Sequence, residues 1–393
     1  IIQPGLSAAH EVAHQSGASC MQVSCKHVLF RILNPRVPHV RWLLRPYGKS
    51  QGLTDQKKAS HVVKGTRAMP RREDFLNRID ARLDEADRDG RFACMLGRTD
   101  RETMGRLVHS GMLHSPYPGV FVHSELWQSL GIGEQQLRLA RSLGAMHPDW
   151  TFCDATAALA HGLPVSHRQL SHVHVCHLGS GRHSRGLVRW HATDAGETTF
   201  ASGIRVTSLE RSAVDCLLSM DFGDGLAVAD ATLRRLESHT DSLDKALGQL
   251  GAGRRGIRQA RLTLSHADPR SESGGESIAR ARMIELGFVV PELQVEFVDP
   301  LTGKGSRVDF LWRLSDGSMV VGELDGRQKY VDPAMTQGRD AVELLSAERL
   351  RESRLTRSAR VVRFSFADVC NADYFERLLD SFRIPRCPGF RHV

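Results

Sequence analysis

Arg307-Val-Asp309-Phe-Leu-Trp-Arg-Leu-Ser-Asp316-Gly-Ser-Met-Val-Val-Gly-Glu323-Leu-Asp325-Gly326 reads as two apolar strands around a Leu-Ser-Asp-Gly turn, with carboxylates where strand interiors are usually apolar. Antiparallel partners sit equidistant from their turn, so a hairpin centred on Asp316 sets Asp309 opposite Glu323 and Arg307 opposite Asp325. Asp309 and Glu323 then share a face, with Cβ atoms about 5 Å apart, where like charges repel unless a cation lies between them. Two acids across an exposed hairpin are also common without a metal. The second strand, however, carries apolar residues on both faces, as a central strand does, and an acid there needs a partner. Magnesium, a hard ion held by one or two carboxylates with waters and a substrate phosphate, fits such a pair and suits phosphodiester hydrolysis.

A third carboxylate precedes the hairpin in Ser271-Glu-Ser273-Gly-Gly-Glu276-Ser-Ile-Ala-Arg-Ala-Arg-Met-Ile-Glu-Leu-Gly287. A small polar and glycine run opens this helix and Gly287 closes it. Steps of three, seven and ten from Glu276 reach Ala279, Met283 and Leu286, so the acid heads the apolar stripe and faces the sheet. The helix dipole favours an acid in the first turn, but it does not choose that face.

An acid on a leading helix, a hairpin with Asp309, Glu323 and Asp325-Gly326, and then Lys329 together resemble the PD-(D/E)xK endonuclease superfamily. The closest branch is the very-short-patch-repair-like one common in actinobacterial proteins, whose second motif often reads Glu-x-Asp-Gly-x-x-His or Lys. Glu348-Arg349-x-Arg351-Glu352-x-x-Leu355 and Val361-Val362-Arg363-Phe364 are similar to that family's last helix and strand. The resemblance covers roughly residues 270 to 385. It implies a restriction-endonuclease-like α/β fold, Mg²⁺ on Asp309 and Glu323, and DNA hydrolysis by an activated water, with Glu276, Asp325 and Lys329 completing the catalytic set. The wider superfamily has a lysine where this chain has Asp325, so either Lys329 takes over water activation and charge stabilisation or the site is altered.

The chain has 393 residues, 41% of them hydrophobic, enough for two or three domains, and no apolar run long enough to span a membrane. Its eight cysteines are scattered, and the close pair Cys20 and Cys25 has no second pair at metal spacing. That pattern predicts reduced thiols in a cytoplasm. The net charge of +8 is concentrated: residues 1–68 hold ten Lys and Arg against Glu11 and Asp55, leaving 43 basic and 43 acidic residues in the remainder. Without sustained periodicity, residues 1–68 read as a disordered or non-native extension: a basic DNA-binding arm, a fragment of something larger, or translated upstream sequence before Met69.

From Met69 the order clears. Phe75, Ile79 and Leu83 recur at helical spacing, and Thr99-Asp-Arg-Glu102 reads as a capping box for a helix ending at Gly111 with Met104, Leu107 and Val108 buried. A hairpin follows, with Tyr117-Pro118-Gly119 as its turn and Val120-Phe-Val122 as its second strand. Three helices and a ribbon predict a winged helix-turn-helix over 69–125. The phrase Arg106 to Val122 resembles the N-terminal domain of AbiEi-type antitoxins, which implies binding to double-stranded DNA with the helix from Asp100 in the major groove and the 114–119 wing on the backbone. Arg98, Arg101, Arg106 and His114 are the groups expected to reach phosphate or base edges.

Residues 126–262 read as a middle α+β domain. It has a small-residue helix stopped at Gly162, a strand at Val173-His-Val-Cys-His177, a strand entering a helix at Gly203 to Asp215, and another helix beginning at Ala227. These phrases look like the antitoxin family's second domain. His161, His167, His172, His174 and His177 do not converge by spacing, so no metal is expected on them. The expected organisation is thus an α/β multidomain chain with the nuclease-like domain at 263–393. Two functions remain open: a Mg²⁺-dependent DNA endonuclease in defence, toxin-antitoxin or repair, or a non-catalytic DNA-binding regulator or antitoxin with an inactive nuclease fold. A cognate toxin or a second copy of the chain is a further expected partner.

Overall fold

In the computed structural model the chain divides into two units, Ile1–Ala68 and Met69–Val393. The structure describes residues 72–387 except 96, 179–185, 237–239, 299–302, 304, 326–349, 351, 352 and 354. The basic opening stretch, Gly326, Lys329 and most of the 348–355 segment therefore lie outside the described residues. The second unit is mixed α/β.

Its first elements are α1 (Arg72–Arg88), β1 (Ala93–Cys94), α2 (Arg98–His109), β2 (Leu113–Tyr117) and β3 (Val120–His123), the strands ordered β1-β3-β2. The helical stripe Ile79, Leu83 and Ala86 buries against Met104, Leu113 and Phe121, as its spacing requires. The hairpin turns at Gly119, whose φ of +84° suits glycine. Two expectations are corrected. Among the described residues two helices, not three, precede the ribbon, with the strand Ala93–Cys94 between them; Phe92 and Cys94 face one core, Ala93 and Met95 the other. The start of the second helix is also shifted. Helix α2 begins at Arg98 behind Gly97, which makes no side-chain cap, so Thr99 already lies inside the helix.

The middle elements are α3 (Ser124–Ser129), α4 (Ile132–Met146), α5 (Asp154–Ala160), the parallel pair β4 (Val173–His177) and β5 (Val188–Ala192), and the antiparallel pair β6 (Thr198–Ala201) and β7 (Ile204–Thr207). Phe152 bridges the two pairs through Val175 and Val206 and is itself fully buried. Helices α6 (Leu209–Ser219), α7 (Phe222–Arg235), α8 (Thr240–Leu250) and α9 (Ile257–Ser265) follow, and with α5 they enclose an aliphatic core that includes Val214, Leu217, Val228, Leu243 and Leu264. The turn into α9 requires glycine: Gly256 has φ +89°, and a Cβ there would stand 2.2 Å from the Leu218 carbonyl oxygen.

The last elements are α10 (Gly274–Glu285), β8 (Glu292–Val298), β9 (Gly305–Arg313), β10 (Met319–Asp325), β11 (Arg360–Ser365), α11 (Phe366–Cys370) and α12 (Ala372–Ser381). The sheet order is β11-β10-β9-β8, with β11 parallel to β10 and the other pairs antiparallel. Ala279 and Met283 of α10, with Phe375 and Leu379 of α12, pack on Phe310, Trp312, Val320 and Phe364, while Val308, Leu311 and Val321 build a second core with Leu355 and Ala359. Gly287, at φ +77°, follows α10 and ends it, as the sequence predicts. Helix α10 is tied to α7 by a buried ion pair, Arg280 to Asp230 at 2.7 Å. Asp230 also accepts a hydrogen bond from the Asp268 amide at 2.7 Å, and burial pushes its carboxyl above the ordinary range. Among the described residues no helix is long and apolar enough to cross a membrane.

Candidate functional site

The hairpin about Asp316 has the register its symmetry predicts: Met319 pairs with Arg313, Val320 with Trp312, Val321 with Leu311 and Gly322 with Phe310. The pairing ends there, one step before Glu323 would stand across from Asp309. The side-chain alternation of β9 breaks at that step, since Val308 packs with Leu311 on one face while Phe310 packs with Trp312 on the other. Gln294 on β8 falls between the pairs Leu293↔Phe310 and Val295↔Val308, as Asp309 does on β9, and has φ +53°. Each strand thus has one irregular residue, and the expectation of Asp309 and Glu323 side by side on a regular ladder is corrected. Asp309 Oδ2 instead accepts a hydrogen bond from the Leu324 amide at 3.0 Å.

Glu323 is 6% exposed, and the parallel register places it beside Arg363. Arg363 Nη2 lies 3.5 Å from Glu323 Oε2, and its Nη1 lies 3.1 Å from Asp325 Oδ1. Arg307, expected across from Asp325, pairs along β8 with Glu296 and makes its ion pair with Glu272 at 2.7 Å. Glu276 stands in the first turn of α10, where it accepts from the Glu272 amide at 2.9 Å, Ser273 Oγ at 2.8 Å and Gln294 Nε2 at 2.9 Å. Burial first, and the Asp309 charge after it, push the Glu276 carboxyl up. Its helix face is as the spacing predicts, since Ala279 and Met283 are fully buried.

Of the four groups expected at nucleic acid, Arg98 and Arg101 lie on α2 but their side chains are outside the described set. Arg106 is exposed, with Nη2 donating to Thr103 Oγ1 at 3.2 Å. His114 is a half-buried residue of β2, stacked on Trp127 at 4.5 Å between ring centroids, and desolvation lowers its pKa.

A site the sequence did not predict lies in the middle of the chain. Among the described residues, Asp154, His174 and His191 are the group of three potential ligands whose ligating atoms all fall within 4.8 Å of one another. The acids Glu276, Asp309 and Glu323 do not close into such a group. Of the five histidines in the 161–177 run, His174 is the one in this group, and its partners lie outside the run. Parallel pairing sets Cys176 beside His191, so His174 and His191 are diagonal neighbours on one face. His174 Nδ1 is 2.9 Å from His191 Nε2, and Asp154 Oδ2 is 3.7 Å from the first and 4.0 Å from the second.

The surroundings of this group are unusual. Asp154 opens α5 at φ +51°, a left-handed conformation uncommon outside glycine and tolerated best by Asn, Asp and His. Its Oδ1 accepts from the Ala155 amide at 2.7 Å and from Ser219 Oγ at 3.3 Å, which leaves Oδ2 for the imidazoles. Burial, and then the nearby Asp215, raise the Asp154 carboxyl to about 6. Burial and then His191 lower His174 to about 3, so it is a neutral imidazole at neutral pH. Beside the group lies a cavity of about 490 Å³ lined by Trp190, His191, Ala192, Thr193, Asp215 and Arg254. Asp215 holds Arg254 at 2.8 Å and Arg211 at 2.9 Å. The partners His191 and Asp154 lay outside the run of histidines that drew attention in the sequence, and a parallel pairing leaves no turn from which to read it.

No family model matches the chain, and no solved structure matches it. Similar curated proteins are uncharacterized proteins of Mycobacterium tuberculosis, from strains CDC 1551 / Oshkosh and ATCC 25618 / H37Rv. Each is 39% identical over 114 residues, which are 28% of this chain and 40% of the relative. The chain spans about two fifths of the length of the curated relatives it matches.

Proposed function

We propose that this chain is a Mg²⁺-dependent DNA endonuclease of the very-short-patch-repair-like PD-(D/E)xK kind, brought to duplex DNA by an AbiEi-like winged-helix region at residues 69–125. The observation that carries the reading is the position of Asp309 and Glu323 at the end of the β9–β10 pairing, with Glu276 of α10 electrostatically coupled to Asp309. The donor set suits a hard cation, because one or two carboxylates with waters are what Mg²⁺ takes from a protein. Asp309 and Glu323 would hold the ion, which when bound polarises a phosphoryl oxygen and lowers the pKa of its water. Asp325 and Arg363 hold the end of β10 in place by their 3.1 Å pair. Glu276, through Gln294, fixes the irregularity of β8 that faces Asp309. Lys329, four residues beyond Asp325, is the cation assigned to the developing phosphate charge.

A second reading has its own observation. Arg363 already lies 3.5 Å from Glu323, supplying the positive charge that a metal would otherwise bring. A nuclease fold kept only for binding, in an antitoxin or repressor, is compatible with that pair.

Nicking of supercoiled plasmid decides between them. The endonuclease should nick with Mg²⁺, and Asp309→Ala or Glu323→Ala should abolish nicking while duplex binding stays within a few fold. A parent protein that binds duplex but nicks with neither Mg²⁺ nor Mn²⁺ refutes the enzyme and leaves the regulator.

A further inference from the structure

The group Asp154, His174 and His191 belongs to no part of the nuclease reading, and its chemistry differs from that of the C-terminal acids. Two imidazole nitrogens and one carboxylate oxygen are borderline donors, the set that zinc and its neighbours in the first transition row prefer and that Mg²⁺ does not. The separations fit. Tetrahedral zinc with bonds near 2.0–2.1 Å places its ligand atoms about 3.3 Å apart. The three distances of 2.9, 3.7 and 4.0 Å bracket that value, so small side-chain adjustments bring all three atoms onto one centre.

Two further features separate this group from an ordinary buried hydrogen-bond cluster. A ring-to-ring hydrogen bond satisfies one nitrogen on each histidine, but at 3.7 and 4.0 Å the Asp154 Oδ2 is bonded to neither ring. A carboxylate buried to 6% exposure is thus aimed at two nitrogens without closing on them. Asp154 also holds φ +51°, and a residue kept in an uncommon conformation with its other oxygen fixed by Ala155 and Ser219 is oriented for something. That outer contact is what oriented metal ligands possess. His191, at 28% side-chain exposure, is the member that also lines the cavity with Asp215 and Arg254.

We infer that Asp154, His174 and His191 form a zinc site with three protein ligands, whose fourth coordination position faces the cavity beside Arg254 and is filled by water. The site is independent of Asp309 and Glu323.

The test is zinc uptake by the full chain after preparation free of metal, read as bound zinc per chain by elemental analysis and as affinity by calorimetry. The parent should bind one Zn²⁺ per chain through this group. His174→Ala and His191→Ala should each weaken zinc binding more than about 100-fold, beyond the 10- to 100-fold that loss of an outer partner costs. Asp309→Asn should leave it unchanged. Should His174→Ala fail to fold, His191→Ala and Asp154→Asn carry the test, with the visible absorption of Co²⁺-loaded parent reporting four-coordinate geometry. A parent that takes up no Zn²⁺ overturns the site. Zinc binding kept by His191→Ala and lost by Asp309→Asn overturns it as well.

Discussion

Replacing Asp230 by alanine tests the account of how α10, and with it Glu276, is held. Arg280 is 3% exposed and Asp230 is 0%, and their 2.7 Å contact pairs the two buried charges. Removing one partner of such a pair costs about 3–5 kcal/mol, because the other charge stays buried. The same carboxylate takes the Asp268 amide at 2.7 Å, and an amide left without its acceptor adds about 1 kcal/mol. Asp230→Ala should therefore destabilise by about 4–6 kcal/mol, which at about 2 °C per kcal/mol for a chain of this size lowers Tm by about 8–12 °C. The pair itself is not a large net stabiliser. Burial pushes the Asp230 carboxyl up, so the folded state holds that proton more tightly than the unfolded chain does. Its contribution is present below the unfolded pKa of about 3.9 and is lost as pH rises through the folded value. The apolar double variant Asp230→Leu with Arg280→Met should hence come within about 2 kcal/mol of the parent, and Asp230→Asn should flatten the pH dependence just above about pH 4. Calorimetry and urea titration of parent, single and double variants check this. A single variant within 1 kcal/mol of the parent, or a double variant no better than Asp230→Ala, refutes the reasoning.

Other outcomes are expected. Gly256→Ala should cost about 2–4 kcal/mol in urea unfolding, since its Cβ meets the Leu218 carbonyl and its backbone lies where only glycine is comfortable. Ser219→Ala, which frees Asp154 Oδ1 from one of its two donors, should weaken zinc affinity about 10-fold by calorimetry without altering its stoichiometry. Lys329→Met should slow single-turnover cleavage about 100- to 1000-fold at saturating Mg²⁺, with Mg²⁺ binding kept; a rate within about threefold of the parent removes Lys329 from the proposed mechanism.

What could be read in advance was local. The stripe from Glu276 through Ala279 and Met283, the stop at Gly287, the register about Asp316 and the turn at Gly119 all follow from helical period, turn symmetry or glycine's backbone freedom. What escaped depends on contacts distant in sequence. The strand at Ala93–Cys94 is too short for period-two alternation to stand out against a helix, and only two cores on its two sides define it. Arg363 reaches Glu323 through a parallel pairing across 39 intervening positions that no turn announces. The same limit hid the group Asp154, His174 and His191: the two histidines meet through parallel strands, and Asp154 joins them from the start of a helix. The irregularity at Gln294 and Asp309 was equally invisible, because residue type alone does not announce a paired break in two strands.

The two-sided burial of the ribbon bears on how this protein can be taken apart or recombined. Phe121 of β3 points into the core beneath α1 and α2, while Val120 and Val122 point into the core shared with Leu139, Leu143 and Phe152. The Phe92 amide is also bonded across that boundary, to Ser142 Oγ of α4 at 2.8 Å. A chain cut near residue 125 would leave Val120, Val122 and Phe92 facing water on one fragment and an unfilled aliphatic wall on the other. The N-terminal region is therefore not a cassette that evolution or an engineer can exchange by itself. Any graft that moves it must carry α4 along, because the ribbon's second face is completed by that helix.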